Sequence, residues 1–163
     1  MSAPELREPR FLTDAMLERL ARWLRALGFD TVSGNAATDA ELMRRAAEEG
    51  RVLLTRDRRL AQQWSSREPL LVLSDEPLSQ LREVMAHFRL EAPHELFTRC
   101  LVCNTVLRSM SGNELEACLP PGVHGHPETL RRCPTCNRVY WEGSHTRRMR
   151  SALERALPYW RAV

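Results

Sequence analysis

The sequence predicts an α/β protein, with a parallel sheet between two layers of helices, followed by a small cysteine-rich module. Short apolar runs alternate with amphipathic helical patterns over residues 1–90, and two Cys-x-x-Cys pairs follow, separated by a Gly/Pro-rich stretch. Alternating strands and helices are typical of a parallel sheet covered by helices. With 43% hydrophobic and 28% charged residues, the 163-residue chain is expected to fold around a core.

Eight elements account for the first part of the chain. Gly28 is expected to stop the first helix as a left-handed C-terminal residue, and Thr38 with Glu41 forms a capping box at the start of the second. The run at 52–55 is apolar throughout, which is typical of a strand buried on both faces. Strands are predicted at 11–12, 31–32, 52–55 and 70–73, and helices at 16–27, 38–50, around 60 and 77–88.

Changes in composition divide the chain into three predicted parts with two boundaries. We expect an α/β domain at residues 1–95, a zinc ribbon at 96–142 and a basic helix at 143–163, packed on one or both of the others, with Ser144 as its N-cap. From Arg131 onward eight arginines stand against two acids, a balance that suits binding to a phosphate backbone. All 24 basic residues are arginine and none is lysine. GC-rich coding explains this use of arginine as well as phosphate binding does.

The sequence argues against two locations. No stretch approaches the roughly 18 consecutive apolar residues of a membrane span, and residues 1–9 lack the apolar core of a secretory signal. We therefore expect a cytoplasmic protein without membrane contact. In that setting disulfides are unfavoured, and the five cysteines indicate metal binding or redox chemistry.

The two Cys-x-x-Cys pairs predict a structural zinc site. In each pair a gap of two residues lets both thiolates face one ion, and 29 residues separate Cys103 from Cys133. Four thiolates complete a tetrahedral site and leave no open position for catalysis. Three residues between the pairs are alternative ligands: Cys118, His124 and His126. The predicted zinc ligands are Cys100, Cys103, Cys133 and Cys136.

Aspartates follow several of the predicted strands. Asp14 comes after the first strand and Asp57 after the third, Asp39 begins the second helix, and Asp75 precedes the fourth. Each could simply favour the start of a helix. Helix capping does not, however, require acids at the ends of two strands of one parallel sheet, where ligands bind in such folds. Together the carboxylates suit Mg²⁺ or Mn²⁺, which activates water for phosphodiester hydrolysis.

Several segments together resemble the Mut-seven C-terminal ribonuclease family, a branch of the PIN-like nucleases that carries a zinc ribbon. The resemblance extends from about residue 10 to 150, in order, through "RFLTDAMLERLARWLRALGFDT", "TDAEL", "EEGRVLLTRDRRL", "SQLREV", "RCLVCN" and "CPTCNRVYWEGSHTRRM". It implies a PIN-like α/β/α sandwich and a metal-dependent endoribonuclease. The implied acidic site consists of Asp14, Asp39 and Asp57, with Asp75 as a further acid.

The predicted RNA contacts are basic. Arg56 and Arg58 adjoin the acidic residues and would steer the RNA backbone, unless they only pair with neighbouring acids. His145, Arg147 and Arg148 start the last helix, where they bind phosphate or form a solvated face. The neighbouring Tyr140 and Trp141 are expected to cover the ribbon and dock it on the sandwich, and exposed aromatic or Arg planes would stack on bases.

The sequence therefore favours a ribonuclease that cleaves single-stranded RNA with Mg²⁺ or Mn²⁺ and carries structural zinc. Two alternatives remain open. In one, the chain is a non-catalytic adaptor that binds RNA or the ribosome through its ribbon and basic tail. In the other, it is a protein-interaction module. In the adaptor, the aspartates only cap helices.

Overall fold

Four parallel strands form the central sheet in the order β2-β1-β3-β4. The computed structural model describes residues 8–63, 69–91, 93–114 and 130–157. In register, Leu12 lies between Val32 and Leu53. The parallel sheet predicted from the alternating pattern is thus confirmed. Its strands are β1 (Phe11–Thr13), β2 (Thr31–Ser33), β3 (Val52–Thr55) and β4 (Leu70–Leu71).

Helices cover both faces of this sheet. Phe11 and Leu54 point into an apolar cluster with α1, α4 and α5, whereas their neighbours Leu12 and Leu53 point into a second cluster with α2 and α3. Alternation along each strand therefore gives three layers. The helices are α1 (Glu18–Ala26), α2 (Asp39–Glu49), α3 (Arg58–Gln63), α4 (Pro77–His87) and α5 (Ser144–Ala156).

The helix termini confirm some predictions and correct others. Thr38 and Glu41 form the predicted capping box, and Gly28 has the expected positive φ of 89°. The first helix was expected from residue 16, but a 3-10 turn (Ala15–Leu17) precedes α1. The prediction of Ser144 as an N-cap is wrong, because Gly143 occupies that position and its N–H donates to the Thr146 hydroxyl over 2.8 Å.

The cysteine-rich module contains a small antiparallel sheet in the order β5-β6-β7. Cys100, Leu107 and Cys133 form its apolar cluster, against which Tyr140 packs. The Gly/Pro-rich stretch, including Cys118, His124 and His126, lies outside the described residues. The three strands are β5 (Arg108–Ser109), β6 (Arg131–Arg132) and β7 (Val139–Tyr140).

The module covers the free edge of β2. Because β2 pairs only with β1, the outward N–H and C=O groups of Thr31 need partners from elsewhere. The Thr31 N–H donates to Asn104 Oδ1 over 3.0 Å, and the Thr31 carbonyl accepts from Arg25 Nε over 2.8 Å. The Asn104 amide in turn donates to Asp30 Oδ1 over 2.7 Å. The first cysteine turn is thereby bonded to the sheet.

Arg25 is the central group of this contact between the sheet and the cysteine-rich module, which we call the joint. Its side chain is 1% exposed, and burial lowers the pKa of the guanidinium. Nη1 donates to the carbonyl oxygens of Leu101 (2.9 Å) and Val102 (3.2 Å), and Nη2 donates to Ser33 Oγ over 2.6 Å. Its only acid among the described residues is Glu18, at 3.4 Å. Backbone dipoles, rather than a close carboxylate, therefore provide most of the polar contacts of this buried cation.

The main apolar cluster extends past the boundary expected at residue 95. Leu96, Phe97 and Leu101 belong to it together with Leu153 of α5. The last helix packs on α4 and so contacts the α/β part of the chain. The boundaries at 95/96 and 142/143 stay predictions.

Within the described residues, none of the helices is both long enough and apolar enough to cross a bilayer.

Replacing Arg25 with Met is expected to lower the free energy of unfolding by about 3–5 kcal/mol, since carbonyl groups buried at the joint lose their donor. Urea unfolding of the zinc-loaded protein measures this loss. Arg19→Met on the exposed face of the same helix is the matched control and should change stability by less than about 0.5 kcal/mol. Equal stability of both variants would contradict the role assigned to Arg25.

Candidate functional site

The four cysteines predicted as ligands converge on one point. Their Sγ atoms all lie within 4.8 Å of one another, with Cys103 and Cys133 3.3 Å apart and Cys100 and Cys136 3.6 Å apart. Sulfurs at about 2.3 Å from a tetrahedral Zn²⁺ would be separated by roughly 3.8 Å. None of the four is in a disulfide. The cluster can therefore bind zinc, and the donor set fits a structural site.

Two similar turns hold these sulfurs. In each, the second cysteine's N–H points at the first cysteine's Sγ, over 3.5 Å in the first turn and 3.4 Å in the second. The next residue is an asparagine with positive φ, 69° at Asn104 and 61° at Asn137. Asparagine tolerates this left-handed conformation better than most residues. The repeated Cys-x-x-Cys-Asn pattern therefore has a backbone cause.

The local environment shifts the pKa values of two of the thiols in opposite directions. Burial raises the pKa of Cys103, but hydrogen bonds with Thr105 and the neighbouring thiols outweigh it, so the net shift is downward. Burial raises the pKa of Cys133. Tyr140 joins the cluster to the rest of the module, because its hydroxyl accepts from the Leu101 N–H over 3.1 Å and lies 3.0 Å from Cys100 Sγ. Burial raises the pKa of Tyr140 as well.

The carboxyl ends of the four parallel strands lie at one edge of the sheet, which we call the acidic edge. Asp14 follows β1, Asp39 starts the helix after β2, Asp57 follows β3 and Asp75 follows β4. In the order β2-β1-β3-β4, the chain leaves β1 in one direction to β2 and resumes on its other side with β3. Asp14 and Asp57 thus flank the topological switch point, where doubly wound sheets bind ligands.

Asp14 is 8% exposed and accepts three hydrogen bonds. Oδ1 accepts from the Met16 N–H over 2.9 Å. Oδ2 accepts from the Thr55 hydroxyl over 2.5 Å and from the Arg56 N–H over 3.0 Å. The carboxylate therefore caps the turn that follows β1 and also ties β1 to the end of β3.

Asp57 is exposed and caps α3 with a single oxygen. Oδ1 accepts from the N–H groups of Arg59 (2.7 Å) and Leu60 (3.3 Å), while Oδ2 accepts no hydrogen bond from the described residues. The Asp57 N–H donates to Thr55 Oγ1 over 2.9 Å. Because that same hydroxyl donates to Asp14, Thr55 links the two aspartates.

The other two aspartates differ from this pair. Asp75 is 84% exposed and pairs with Arg56, and it does not cap α4, whose N-cap is Glu76. Asp39 is exposed in the first turn of α2.

Among the described residues, the four cysteines are the one group of three or more His, Cys, Asp or Glu side chains with ligand atoms within 4.8 Å. The structure thus links Asp14 to Asp57 and Arg56 to Asp75, and it does not gather three carboxylates that closely.

The predicted RNA contacts lie in two places. Arg56 and Arg58 adjoin the acidic edge, Arg56 paired with Asp75 and Arg58 exposed at the start of α3. The other three residues lie on the first two turns of α5 and are exposed: His145, Arg147 and Arg148.

Sequence reasoning missed several of the residues that hold these sites together. The repeated asparagine after each Cys-x-x-Cys pair was a visible signal for Asn104 and Asn137. Thr55 was visible as the last residue of an apolar run that leads into Asp57. The link from Arg25 to the first cysteine turn had no signal, because its partners there are backbone carbonyls more than 70 residues further along the chain, at Leu101 and Val102.

Comparisons with known proteins agree on one family. The family model of the Mut7-C RNAse domain matches residues 9–153. The Exonuclease mut-7 homolog of Homo sapiens is 33% identical over 111 residues, which cover 63% of this chain. The matched region spans only 13% of that human protein. No solved structure matches this chain.

Replacing Cys133 with Ser should remove most of the bound zinc, because one of the four thiolates is lost and metal binding is coupled to folding. Zinc per chain, measured by elemental mass spectrometry after dialysis, tests this. Cys118→Ser is the matched control and should retain one zinc per chain. Full occupancy in the Cys133 variant would contradict the ligand assignment, and loss in the Cys118 variant would favour the alternative set.

Replacing Asp14 with Asn should lower the free energy of unfolding by about 1–3 kcal/mol, because an amide NH₂ must then face a backbone N–H. Asp57→Asn is the comparison. Both of its bonds use one oxygen, so asparagine can cap α3 with little loss of stability. Thermal unfolding of the two zinc-loaded variants decides the matter, and equal losses would contradict the contacts described for Asp14.

Proposed function

This chain belongs to the Mut7-C RNAse domain family, and we propose that it hydrolyses phosphodiester bonds of single-stranded RNA at the acidic edge with the help of Mg²⁺ or Mn²⁺. Membership of the family suggests a ribonuclease role. The observation that carries the finer proposal is the position of Asp14 and Asp57 on either side of the switch point, linked through the Thr55 hydroxyl.

The acidic edge offers the oxygen donors that such an ion needs. A carboxylate has about four lone-pair positions, of which Asp14 uses three for hydrogen bonds. One position on Asp14 and the whole of Asp57 Oδ2 remain for an ion or its waters, as far as the described residues are concerned. Mg²⁺ usually keeps several waters and takes one or two carboxylates directly, so these residues fit a hydrated ion without three carboxylates in direct contact.

Each residue of the edge has a distinct part in this proposal. Asp14, held by three donors, and Asp57, through its second oxygen, would bind the ion, and Asp39 would add negative charge. An ion there would offset charge on the phosphate and make an attacking water easier to deprotonate. Asp75 would act through Arg56, by keeping that guanidinium near the edge. Arg56 and Arg58 would then steer the RNA backbone.

The preference for RNA rests on the family and on the charges of the C-terminal part. His145, Arg147 and Arg148 would contact phosphates outside the acidic edge. A ribosomal or protein partner and a cytoplasmic location stay predictions.

The adaptor hypothesis has one observation in its favour. Asp14 caps the 3-10 turn and Asp57 caps α3, as it requires. Capping explains one oxygen of Asp57 and one of Asp14, but not the link between the two residues through Thr55.

Asp57→Asn is the sharpest test of the proposal. It retains the cap on α3 but removes a negative charge from the acidic edge, so cleavage of labelled single-stranded RNA should fall at least about 100-fold (an estimate from transition-state arithmetic of roughly 3 kcal/mol). The assay uses zinc-loaded protein with Mn²⁺ or Mg²⁺ titrated and no chelator, because a chelator would also remove zinc.

Glu48→Gln is the control for the removal of one acid. Glu48 is exposed near the end of α2, which lies towards the amino ends of the strands, at the edge of the sheet opposite the acidic edge. Its loss should leave cleavage unchanged. If wild type and Asp57→Asn are equally inactive at every metal concentration yet bind RNA alike, the adaptor hypothesis replaces ours. A circular RNA, which only an endonuclease can cut, separates the endonucleolytic mode from exonucleolytic trimming.

A further inference from the structure

A cleft lies between the first cysteine turn, α1 and the start of α5, and we call it the ribbon cleft. Its volume is about 420 Å³, within the usual range for small-ligand pockets of about 300–1,000 Å³. Five side chains define its chemistry: Arg22, Val102, Arg138, Trp141 and His145. We propose that this cleft binds a nucleotide of single-stranded RNA, with the base stacked on Trp141 and a phosphate beside Arg22. The inference rests on the proposed function, because it takes the same RNA as ligand.

Trp141 is placed to stack on a base. The residue is 37% exposed although its neighbour Tyr140 is half-buried against the cysteine cluster. The prediction that both aromatics dock the ribbon therefore describes Tyr140 better than Trp141. Exposed aromatic planes beside basic groups are what single-stranded RNA binding requires.

The indole lies close to the backbone of Gly143. A Cβ atom built on Gly143 would lie 2.8 Å from Trp141 Nε1 and 3.2 Å from Cδ1. The absence of a side chain at Gly143 thus allows the ring to lie against the chain.

The charges of the ribbon cleft favour an anion. The described residues that line it include no Asp or Glu. Arg138 lies beside Cys136, one of the four clustered cysteines, so we assign the phosphate to Arg22. Arg22 is exposed, and the ion pairs among the described residues do not include it.

A second cleft on the other side of Trp141 provides an internal comparison. Its arginines are already paired with acids, Arg131 with Glu95 and Arg150 with Glu142. Charge neutralisation within that cleft leaves little attraction for phosphate. The ribbon cleft has an exposed Arg22 and no acid among the described residues that line it, and it is therefore the one we assign to RNA.

The walls of the ribbon cleft are fixed before any ligand binds. Tyr140 Oη accepts from the Leu101 N–H over 3.1 Å, and Arg25 Nη1 donates to the Leu101 carbonyl over 2.9 Å. The main chain of Leu101, which lines the ribbon cleft, thus links Tyr140 of β7 to Arg25 of α1. A preformed cleft requires little reorganisation when the nucleotide enters.

The test measures binding of a labelled ten-nucleotide single-stranded RNA by fluorescence polarisation, with the zinc-loaded full chain and no added Mg²⁺ or Mn²⁺. Trp141→Ala should weaken binding about ten-fold, as expected for the loss of one stacked base, and Trp141→Phe should retain most of the affinity. Arg22→Ala should weaken binding and reduce the slope of log affinity against log salt by about 0.7. Gly143→Ala, which displaces the indole without removing it, should also weaken binding.

Val106→Ala is the matched control. Val106 is an exposed apolar residue of the same module that does not line the ribbon cleft, and its loss should leave affinity unchanged. Zinc content and thermal unfolding of every variant establish that the module is folded, and Arg22→Ala and Trp141→Phe keep the test valid if Trp141→Ala unfolds.

Three results would overturn the inference. If Trp141→Ala and Arg22→Ala bind as wild type while Asp57→Asn abolishes cleavage, the ribbon cleft is not an RNA site and the proposed function stands. If wild type binds neither this RNA nor any cleavable substrate, both proposals fail together. Equal competition by a duplex of the same sequence would exclude base stacking and would also overturn the assignment of the cleft.

Discussion

The structure depends on how the outer edge of β2 is closed. A sheet edge carries N–H and C=O groups that need partners, and here a side chain from α1 and a side chain from the first cysteine turn supply them at Thr31. The same Arg25 that closes the edge also binds the carbonyl groups of that turn. One buried cation therefore joins the sheet, the helix layer and the cysteine-rich module.

The acidic edge shows how structural and chemical roles combine in single residues. Asp14 and Asp57 cap the elements that follow their strands, yet they differ in how many oxygens the cap uses. Asp14 uses both oxygens and is fixed by three donors, whereas both bonds to Asp57 end on Oδ1. A rigid acid beside one with a spare oxygen is a suitable arrangement for holding a hydrated cation, and each acid is held by the backbone rather than by another charge.

Periodicity, caps and cysteine spacing predicted the parallel sheet and the clustering of the four cysteines because these features depend on local residues. The 3-10 turn before α1 and the Gly143 cap were missed, because they depend on which side chain reaches which N–H group. The role of Arg25 could not be predicted at all, since its partners are distant carbonyls without a side-chain signature. Among the aspartates, sequence order predicted the shared edge but not the pairing of Asp75 with Arg56.

Arg25 donates to main-chain oxygens at positions 101 and 102. These hydrogen bonds therefore do not depend on which side chains those positions carry. Val102 lines the ribbon cleft and is 48% exposed, whereas Leu101 is buried in the main apolar cluster. Substitution of Val102 can therefore change the shape of the cleft while the hydrogen bonds beneath it stay the same. The ligand preference of the ribbon cleft can thus be engineered separately from the hydrogen bonds that hold the module on the sheet.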